Sequence, residues 1–233
     1  MTRLIMFCLL LLVVSPTLAQ QRDALSAREI IDKMVSVYGS CHSYSDKGES
    51  KDVMLDSGKV RLRPFSTAFV RPSQFRFEFE EKSQFYENSQ FYLDYVVWQN
   101  GATVKNWWTG KPEVRSFETL GLALAAAAGV SRLSSILVPS MIFRDLGDSH
   151  IIQNLAQPVL VSSEKVGERP AYKIKGAYWQ GNELTIWVDK EKFLLLKTFR
   201  IMKLANRPGA ENTTTYNPEI NADIAADKLA FKH

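Results

Sequence analysis

Few side chains in this sequence are of a type and spacing that suits catalysis. Cys41 stands beside His42, and a thiol next to an imidazole can act as a nucleophile with its base. Neighbours in sequence rarely face each other, however, because catalytic groups are assembled across a fold. The other two histidines, His150 and His233, stand in unrelated contexts. We therefore expect no nucleophilic site here, and we expect Cys41 to be dispensable for structure and binding.

Motifs for metal-dependent or serine hydrolysis are missing as well. The sequence contains neither H-E-x-x-H nor G-x-S-x-G, and its two cysteines do not form a metal-binding pair. The carboxylates of Glu80, Glu81, Asp145 and Asp148 fall on predicted strand faces or helix ends, where solvated charges are more common than an acid–base pair. We expect a protein that is not an enzyme and that has no catalytic residue, no cofactor and no metal.

The beginning of the chain has the pattern of a secretory signal peptide. Arg3 precedes an apolar run over residues 4–14, and residues 17–19 form a small-residue cleavage site. Cys8 lies within the apolar run, without the context of a lipidated cysteine. We expect residues 1–19 to be removed and the mature chain to reside in the periplasm. Cys41 is then its only cysteine, which excludes an internal disulfide.

Residues 20–233 suffice for one domain with a substantial core. The sequence has no linker, low-complexity tract or repeat, so we expect a single domain. Its formal net charge of +4 is spread along the chain. A diffuse positive charge is compatible with anionic lipid headgroups, whereas nucleic acid binding calls for a clustered one. We expect no nucleic acid partner.

The elements that must position any site begin with one helix. Ser26 and Glu29 have the spacing of a capping box. Residues 30–38 carry a single apolar stripe, which predicts an amphipathic helix. Gly39 is placed to end it. A helix of this length is unstable alone, so its stripe must pack on the rest of the chain.

Alternation of apolar and polar residues then predicts strands up to residue 117. In the strand around residue 61 it assigns Val60 and Leu62 to an apolar face, and Arg61 and Arg63 to the opposite face. Asn100-Gly101 predicts a hairpin. Consecutive strands can pair as an antiparallel meander. Later strands are predicted at residues 159–165, 171–179, 183–189, 194–203 and 213–216, with a polar loop at 205–212.

An apolar segment at about residues 118–146 interrupts the strands. It leaves little polar surface, so it must be covered on most sides. A membrane span needs roughly 20 uninterrupted apolar residues, and Gly129, Arg132 and Pro139 break this segment. We expect short helices laid on the concave side of a curved sheet, either as permanent core or as a movable plug.

Aromatic residues are abundant, with 13 Phe, 8 Tyr and 5 Trp. The five Trp residues fall on or beside predicted strands, and core packing accounts for any single one of them. Taken together, a curved sheet with an apolar concave face and covering helices would form a cavity when the helices lift.

Short motifs resemble those of the LolA/LolB/RseB-like group, the periplasmic lipoprotein carrier superfamily. Residues 71–75 read R-P-x-x-F and precede the hairpin at 100–108. Stretches at 167–172, 184–190 and 216–221, with the closing Phe231, are similar to the same group. The resemblance implies an α+β fold that is mainly β. In it, a curved antiparallel sheet forms a half-open β-barrel, and an N-terminal helix and the central helical insert cover the concave face.

In the carriers, the arginine of R-P-x-x-F holds a helical lid closed through hydrogen bonds to its backbone, and the phenylalanine lines the cavity. Arg71 and Phe75 match these two positions. The resemblance therefore implies a binding or carrier protein for lipid or lipoprotein acyl chains, involved in outer-membrane lipoprotein sorting or lipid transport. The residues expected to form the ligand-binding site and lid are Arg71, Phe75, Trp98, Trp108, Leu124, Leu133, Ile136, Met141 and Trp187.

The implied partners are acyl chains and transport proteins of the inner and outer membranes, with peripheral membrane contact and a monomeric state. One alternative is an envelope-stress sensor module of the RseB type, in which the same cavity detects lipidated or mislocalised molecules. A second alternative is an exported hydrolase or transferase that acts on a polymer. Ligands extracted with the purified protein would separate a carrier from an enzyme.

Overall fold

The computed structural model describes residues 25–83, 93–146, 150–179, 181–204 and 207–233. The predicted signal peptide, residues 1–19, lies outside the described residues, as does Asp148. Helix α1 spans Ala27–Ser40 and precedes the sheet. The apolar segment, which we call the insert, contains helices α2 (Leu120–Ala128), α3 (Ser134–Leu137) and α4 (Pro139–Ile142).

Among the residues that the structure describes, twelve strands form one antiparallel sheet. They are β1 (Ser43–Met54), β2 (Val60–Val70), β3 (Gln74–Ser83), β4 (Leu93–Asn100), β5 (Thr103–Trp108), β6 (Lys111–Phe117), β7 (Ala156–Val166), β8 (Arg169–Tyr178), β9 (Asn182–Asp189), β10 (Leu195–Leu204), β11 (Arg207–Thr215) and β12 (Glu219–Ile220). A short 3-10 helix at Ala226–Lys228 lies in the C-terminal tail.

The insert connects the two edges of this sheet. The strand order is β6-β5-β4-β3-β2-β1-β11-β10-β9-β8-β7, with β12 beside β1. Each half of the chain forms a meander, and β1 pairs with β11 where the halves meet. Because β6 and β7 are the two ends of the order, the sheet stays open and the chain crosses between its edges through the helices. The predicted half-open barrel with an N-terminal helix and a central insert is confirmed.

Helix α1 begins as its capping residues predict. The Ser26 Oγ accepts a hydrogen bond from the backbone N–H of Glu29 (3.2 Å), and the Glu29 carboxylate accepts one from the Ser26 N–H (2.8 Å). On the buried side, the Tyr38 hydroxyl accepts a hydrogen bond from the Leu195 N–H (3.0 Å). The Tyr38 hydrogen bond joins α1 to β10. The fully buried residues of its apolar stripe are Ile30, Ile31, Met34 and Tyr38.

The inner face of the sheet, which we define as the face that packs against the helices, carries the core. Phe75, Phe77 and Phe79 of β3 all point inward and are at most 3% exposed, as their alternation predicts. The Phe79 ring stacks on Tyr95 of β4 at 5.7 Å between centroids. Aromatic side chains of neighbouring strands therefore cover the inner face with apolar surface.

In β2, the sequence-based assignment of side chains to the two faces of the strand is wrong, because the two faces are exchanged. Arg63 is 1% exposed and Arg61 points to the same side, whereas Val60 and Leu62 are only half-buried. Directly paired residues share a face of a sheet, and Arg63 pairs with the buried Ser50 of β1. The inner face is polar at this end of the sheet, so a charged side chain does not indicate exposure there.

Two turns also differ from expectation. The predicted hairpin is present, but Asn100 pairs with Thr103, so the loop residues are Gly101 and Ala102. Gly101 has φ of 59°, which glycine adopts without strain. The predicted polar loop at 205–212 is wrong, because β11 already begins at Arg207. Asn212 is buried and hydrogen-bonds to Ser50 and Asp52 on the inner face, whereas Glu211 of the same strand is exposed.

The helices of the insert are short. Helix α2 has nine residues, and α3 and α4 have four each. Pro139 opens α4, a position at which the missing N–H costs no intrahelical bond. Within the part of the chain that the structure describes, no helix combines the length and apolarity required to cross a bilayer.

Candidate functional site

The insert supplies one wall of the apolar interior. Helix α2 packs against β4, β5 and β6, and α4 packs against α1. Phe143, just after α4, sets its ring edge-on to Phe69 (5.0 Å between centroids) and Phe75 (5.7 Å). The sheet and the insert therefore share one core. The buried apolar residues of the insert are Leu120, Ala123, Leu124, Ala127, Leu133, Ile136, Leu137, Val138, Met141, Ile142 and Leu146.

Arg71 joins three backbone segments at one end of this interior. Its Nε donates to the Cys41 carbonyl (2.6 Å), and Nη2 donates to the carbonyls of Gly39 (2.6 Å) and Ile142 (3.4 Å). Helix C-termini leave carbonyls without intrahelical partners, and a guanidinium offers five N–H donors. Two of these three bonds go to the end of α1, and the bond to the insert is the longest. Arg71 therefore holds α1 more firmly than it holds the insert.

A cleft of about 580 Å³ opens beside Arg71, between the β2–β3 turn, the start of α2 and the end of α4. Its lining combines polar groups, such as Arg71 and Gln99, with apolar ones, such as Leu120 and Phe143. A second cleft of about 460 Å³ lies between α1 and α4, and both clefts reach Gly39. A lining that combines polar and apolar groups suits a ligand with a polar head and an apolar chain.

Buried charged residues lie at the other end of the inner face. We call Asp52, Arg63, Glu81 and Arg132 the arginine–carboxylate network. Arg63 donates from Nη1 to Asp52 (2.9 Å) and from Nε to Glu81 (3.0 Å). Arg132, which lies between α2 and α3, donates from Nε to the same Asp52 oxygen (2.9 Å). The insert is thus bound to the sheet by an ion pair as well as by packing.

The electrostatics of Asp52 favour its charged form. Burial alone would raise the pKa of this carboxyl, but the guanidinium groups of Arg132 and Arg63 outweigh burial and hold the pKa below its ordinary value. The second carboxylate oxygen accepts a hydrogen bond from Asn212 Nδ2 (3.0 Å). Asp52 is therefore an ionised, buried group with partners on both oxygens.

Glu81 is a further correction to the sequence-based expectation. It was assigned to solvent, but it is 9% exposed. One carboxylate oxygen pairs with Arg61 (3.1 Å) and the other with Arg63 (3.0 Å). The physical reason is again the phase of β2, which turns both arginines inward and requires an acid beside them.

Seven of the nine predicted site residues lie in the apolar interior or at its rim. Phe75, Leu124, Leu133, Ile136 and Met141 are buried in the shared core. Trp108 packs against the same core from a partly buried position. Arg71 lies at the rim of this interior, as described above. Whether these residues contact a ligand stays a prediction.

Trp98 and Trp187 lie on the outer face of the sheet, away from the insert. Trp98 pairs directly with Arg76, which alternates with the inward phenylalanines of β3. Its indole N–H donates to the Leu229 carbonyl (2.7 Å), and its ring contacts Phe231 of the C-terminal tail (5.5 Å). Two lysine side chains lie over the Trp187 ring. The Nζ of Lys173 is 5.1 Å from the ring centroid, and the Nζ of Lys197 is 4.5 Å from it.

The Cys41–His42 pair does not assemble into a nucleophile and base. The Cys41 thiol is buried and donates to the Tyr38 carbonyl (3.1 Å). Burial raises the pKa of this thiol, which disfavours the reactive thiolate. His42 is exposed. The two side chains therefore lie in different environments.

Sequence reasoning missed the arginine–carboxylate network. One signal could have revealed it, namely the phase of alternation within β2. Phe65, Thr67 and Phe69 point inward, and the same period extended backwards places Arg63 and Arg61 inward too. The switch from apolar to charged residues on one face marks the point at which the core becomes polar.

An open antiparallel sheet whose edges are joined by a helical insert has counterparts among solved structures. The chain superposes on MucB, an RseB-type protein, with a TM-score of 0.50 at 11% sequence identity. The match covers 88% of this chain and 62% of MucB. This chain has a LolA-like fold. At such low identity the likeness concerns the fold alone.

Two other solved structures match this chain at lower similarity. LprF from Mycobacterium bovis has a TM-score of 0.49 at 10% identity, over 85% of this chain and 94% of LprF. A LolA superfamily protein from Nitrosomonas europaea has a TM-score of 0.35 at 13% identity, over 89% of this chain and 99% of that one. The sequence itself matches no protein-family model and no curated protein.

Proposed function

We propose that this protein binds the acyl chains of a lipid or lipoprotein in the apolar interior between sheet and insert, and that the insert is the lid of this site. One observation carries the proposal. The sheet is a single continuous wall, whereas the opposite wall consists of α1 and of short helices on a segment that joins the two sheet edges. This segment can move without breaking any strand pairing. The LolA-like fold supports the same function.

The lid does not open into water at low cost. Nine large apolar side chains of the insert are buried, and at about 1.5 to 3 kcal/mol each their full exposure would cost roughly 14 to 27 kcal/mol. Burial of one acyl chain of about 15 methylenes recovers roughly 12 kcal/mol. We infer that opening and ligand entry are coupled, because the chain takes over contacts that the insert gives up.

Coupled exchange makes affinity depend on chain length. Each added methylene contributes about 0.8 kcal/mol on burial, which is roughly a fourfold gain in affinity. A series of fluorescent fatty acids of increasing length, titrated below their micelle concentrations, measures this slope. A binding site for acyl chains should give a steady gain until the interior is filled. Affinity that does not depend on chain length would argue against the proposal.

Substitutions at Arg71 and Phe75 test the site itself. Arg71→Leu removes one 3.4 Å bond to the insert, so the closed lid should lose about 1 kcal/mol, and release of a fatty acyl probe should become faster. Phe75→Ala removes cavity-lining surface and should weaken equilibrium binding. It also costs about 3 to 5 kcal/mol of stability, so Phe75→Leu serves as a milder companion.

Arg115→Leu is the matched control for Arg71→Leu, because Arg115 is an exposed arginine on the edge strand β6. It should bind and release the probe like the parent. Far-UV spectra establish that each variant is folded. Parental binding and release in both Arg71→Leu and Phe75→Leu would mean that these residues only support the fold.

On the basis of the signal-peptide pattern at residues 1–19, we propose that binding takes place in the periplasm. We further propose that the protein receives its ligand from, and delivers it to, partner proteins of the inner and outer membranes. Mass spectrometry of organic extracts from protein purified out of the periplasm would identify the natural ligand. Co-purifying acylated molecules support a carrier. An empty protein that turns over a cell-wall or glycan substrate would instead support an exported enzyme.

A further inference from the structure

The link between α2 and α3 has a strained backbone. Arg132 has φ of 59° and Leu133 has φ of 73°, in the left-handed region that non-glycine residues rarely adopt and then usually singly. Such a conformation persists only where the surrounding contacts determine it. Leu133 is buried in the core, and Arg132 is bound by the sheet. Contacts on both sides of the backbone therefore hold the link in place.

Asp52 is the group on the sheet that binds Arg132. Its Oδ2 accepts hydrogen bonds from Arg132 Nε and from Arg63 Nη1, both at 2.9 Å. Arg132 Nη1 also donates to the carbonyl of Gly129 (3.0 Å), the C-cap of α2. One side chain thus ties the end of α2 to β1.

This contact can be released without leaving a buried charge unpaired. If Arg132 departs, Asp52 keeps its bonds to Arg63 and Asn212. When one member of an isolated buried ion pair is removed, the charge left behind is costly. Asp52 avoids this cost because Arg63 and Asn212 still bind it. The Arg63 side chain is 1% exposed, whereas that of Arg132 is 21% exposed and close to water. Release also relieves the strain at Arg132 and Leu133.

The Arg132 contact lies at the middle of the insert, between α2 and α3, whereas the Arg71 contact lies at the end of α4. Arg63, beside Asp52, is separated from Arg71 by eight positions along β2 and the following turn, about 27 Å of extended chain. We propose that Arg132 is a second positioning residue for the lid. Held by Asp52, it fixes the α2–α3 link, and the lid opens fully only when this contact is released. The inference rests on the proposed function, in which the insert is the lid.

Hydrogen exchange of the insert tests the positioning role without any ligand. Arg132→Gln should speed amide exchange over residues 120–143 by about tenfold or more, the effect expected for a lost charged hydrogen bond. Exchange in α1 and in β8–β9 should stay at the parental rate. Arg132→Lys keeps the charge but not the forked geometry, so it should restore part of the protection. Arg115→Gln, at an exposed site, should match the parent.

Probe kinetics supply a readout that a purely structural role would not move. In Arg132→Gln, a fluorescent fatty acyl probe should both enter and leave faster, with a smaller change in Kd, because the closed lid is destabilised relative to the open one. Combined with Arg71→Leu, the effects on exchange should multiply, since the two contacts are far apart and act independently.

The outcomes separate the two inferences. Parental exchange in the insert of Arg132→Gln, or acceleration of equal size throughout the sheet, would overturn the positioning role. Faster exchange confined to the insert, with no probe bound by the parent or any variant, would keep the positioning role and reject acyl-chain binding. Confined acceleration together with faster probe exchange supports both.

Discussion

Replacement of Asp46 by Asn should remove one defined part of the pH dependence of stability. Asp46 lies on the inner face of β1 and is 5% exposed, and the Tyr44 hydroxyl donates to its carboxylate (2.6 Å). Burial raises the pKa of Asp46 from 3.8 to about 6, although the hydrogen bond from Tyr44 opposes the rise. The nearby Tyr38 and Tyr216 stay neutral, because burial raises the pKa of each phenol as well.

The magnitude and sign follow from linkage between protonation and folding. A pKa increase of about two units corresponds to about 3 kcal/mol. Below pH 3.8 the carboxyl is protonated in both the folded and the unfolded chain and costs nothing. Between 3.8 and about 6 the unfolded chain ionises first, so the folded state loses stability, and above that range the loss is complete.

Urea unfolding over roughly pH 4 to 8 at constant ionic strength measures this effect. An amide in place of the carboxyl also changes stability by an amount that does not depend on pH, so the quantity to follow is the difference between variant and parent. For Asp46→Asn this difference should move by about 2 kcal/mol in favour of the variant as the pH rises from 4 to 7, because the carboxyl of the unfolded parent is already partly ionised at pH 4.

The matched control for Asp46→Asn is Asp223→Asn, at an exposed position of the C-terminal tail. It measures the effect of the same Asp-to-Asn exchange at a solvent-exposed position. A difference for Asp46→Asn that does not change with pH would refute the reasoning. It would mean that Asp46 does not titrate as a buried carboxyl.

Three further variants should change stability by predictable amounts in urea unfolding. Cys41→Ser should cost about 1 kcal/mol or less, since it alters one weak hydrogen bond, and acyl-probe titrations should give the parental Kd; a large loss of either would reveal a role for the thiol. Ser26→Ala breaks the capping box and should cost about 1 kcal/mol, whereas an unchanged midpoint would show that α1 is held by its apolar stripe alone. Glu81→Gln should cost about 2 to 3 kcal/mol, because Arg63 keeps Asp52 but loses its second carboxylate, and a cost near zero would place Glu81 in solvent.

Features that depend on local sequence could be predicted. The capping box of α1 involves residues three apart, and the alternation in β3 needs only the neighbours of Phe77. Gly101 marks the hairpin for the same reason, although its exact register depends on the partner strand. These signals act within a few residues, and the tertiary packing agrees with them.

Features that depend on distant pairing could not be predicted from local patterns. Asp52, Arg63 and Arg132 come from two strands and the insert, and each alone has the sequence context of a solvent-exposed charge. Trp98 was assigned to the ligand site by its aromatic character, but the C-terminal tail covers its face of the sheet. Such assignments need the sheet order and the path of the tail, which no short window of sequence contains.

The sequence leaves two expectations for the insert, permanent core and movable lid. A movable lid requires that a ligand replace the contacts that the insert loses when it opens. Its buried apolar side chains argue for a wall that water alone does not displace. Its polar anchors argue the opposite, because Arg71 makes only one long bond to the insert and Asp52 retains partners after Arg132 leaves. A wall with strong apolar packing and releasable polar anchors opens to an apolar ligand in preference to water. Under the proposed function, the packing of the insert would therefore select for acyl chains, and its anchors would set how fast they exchange.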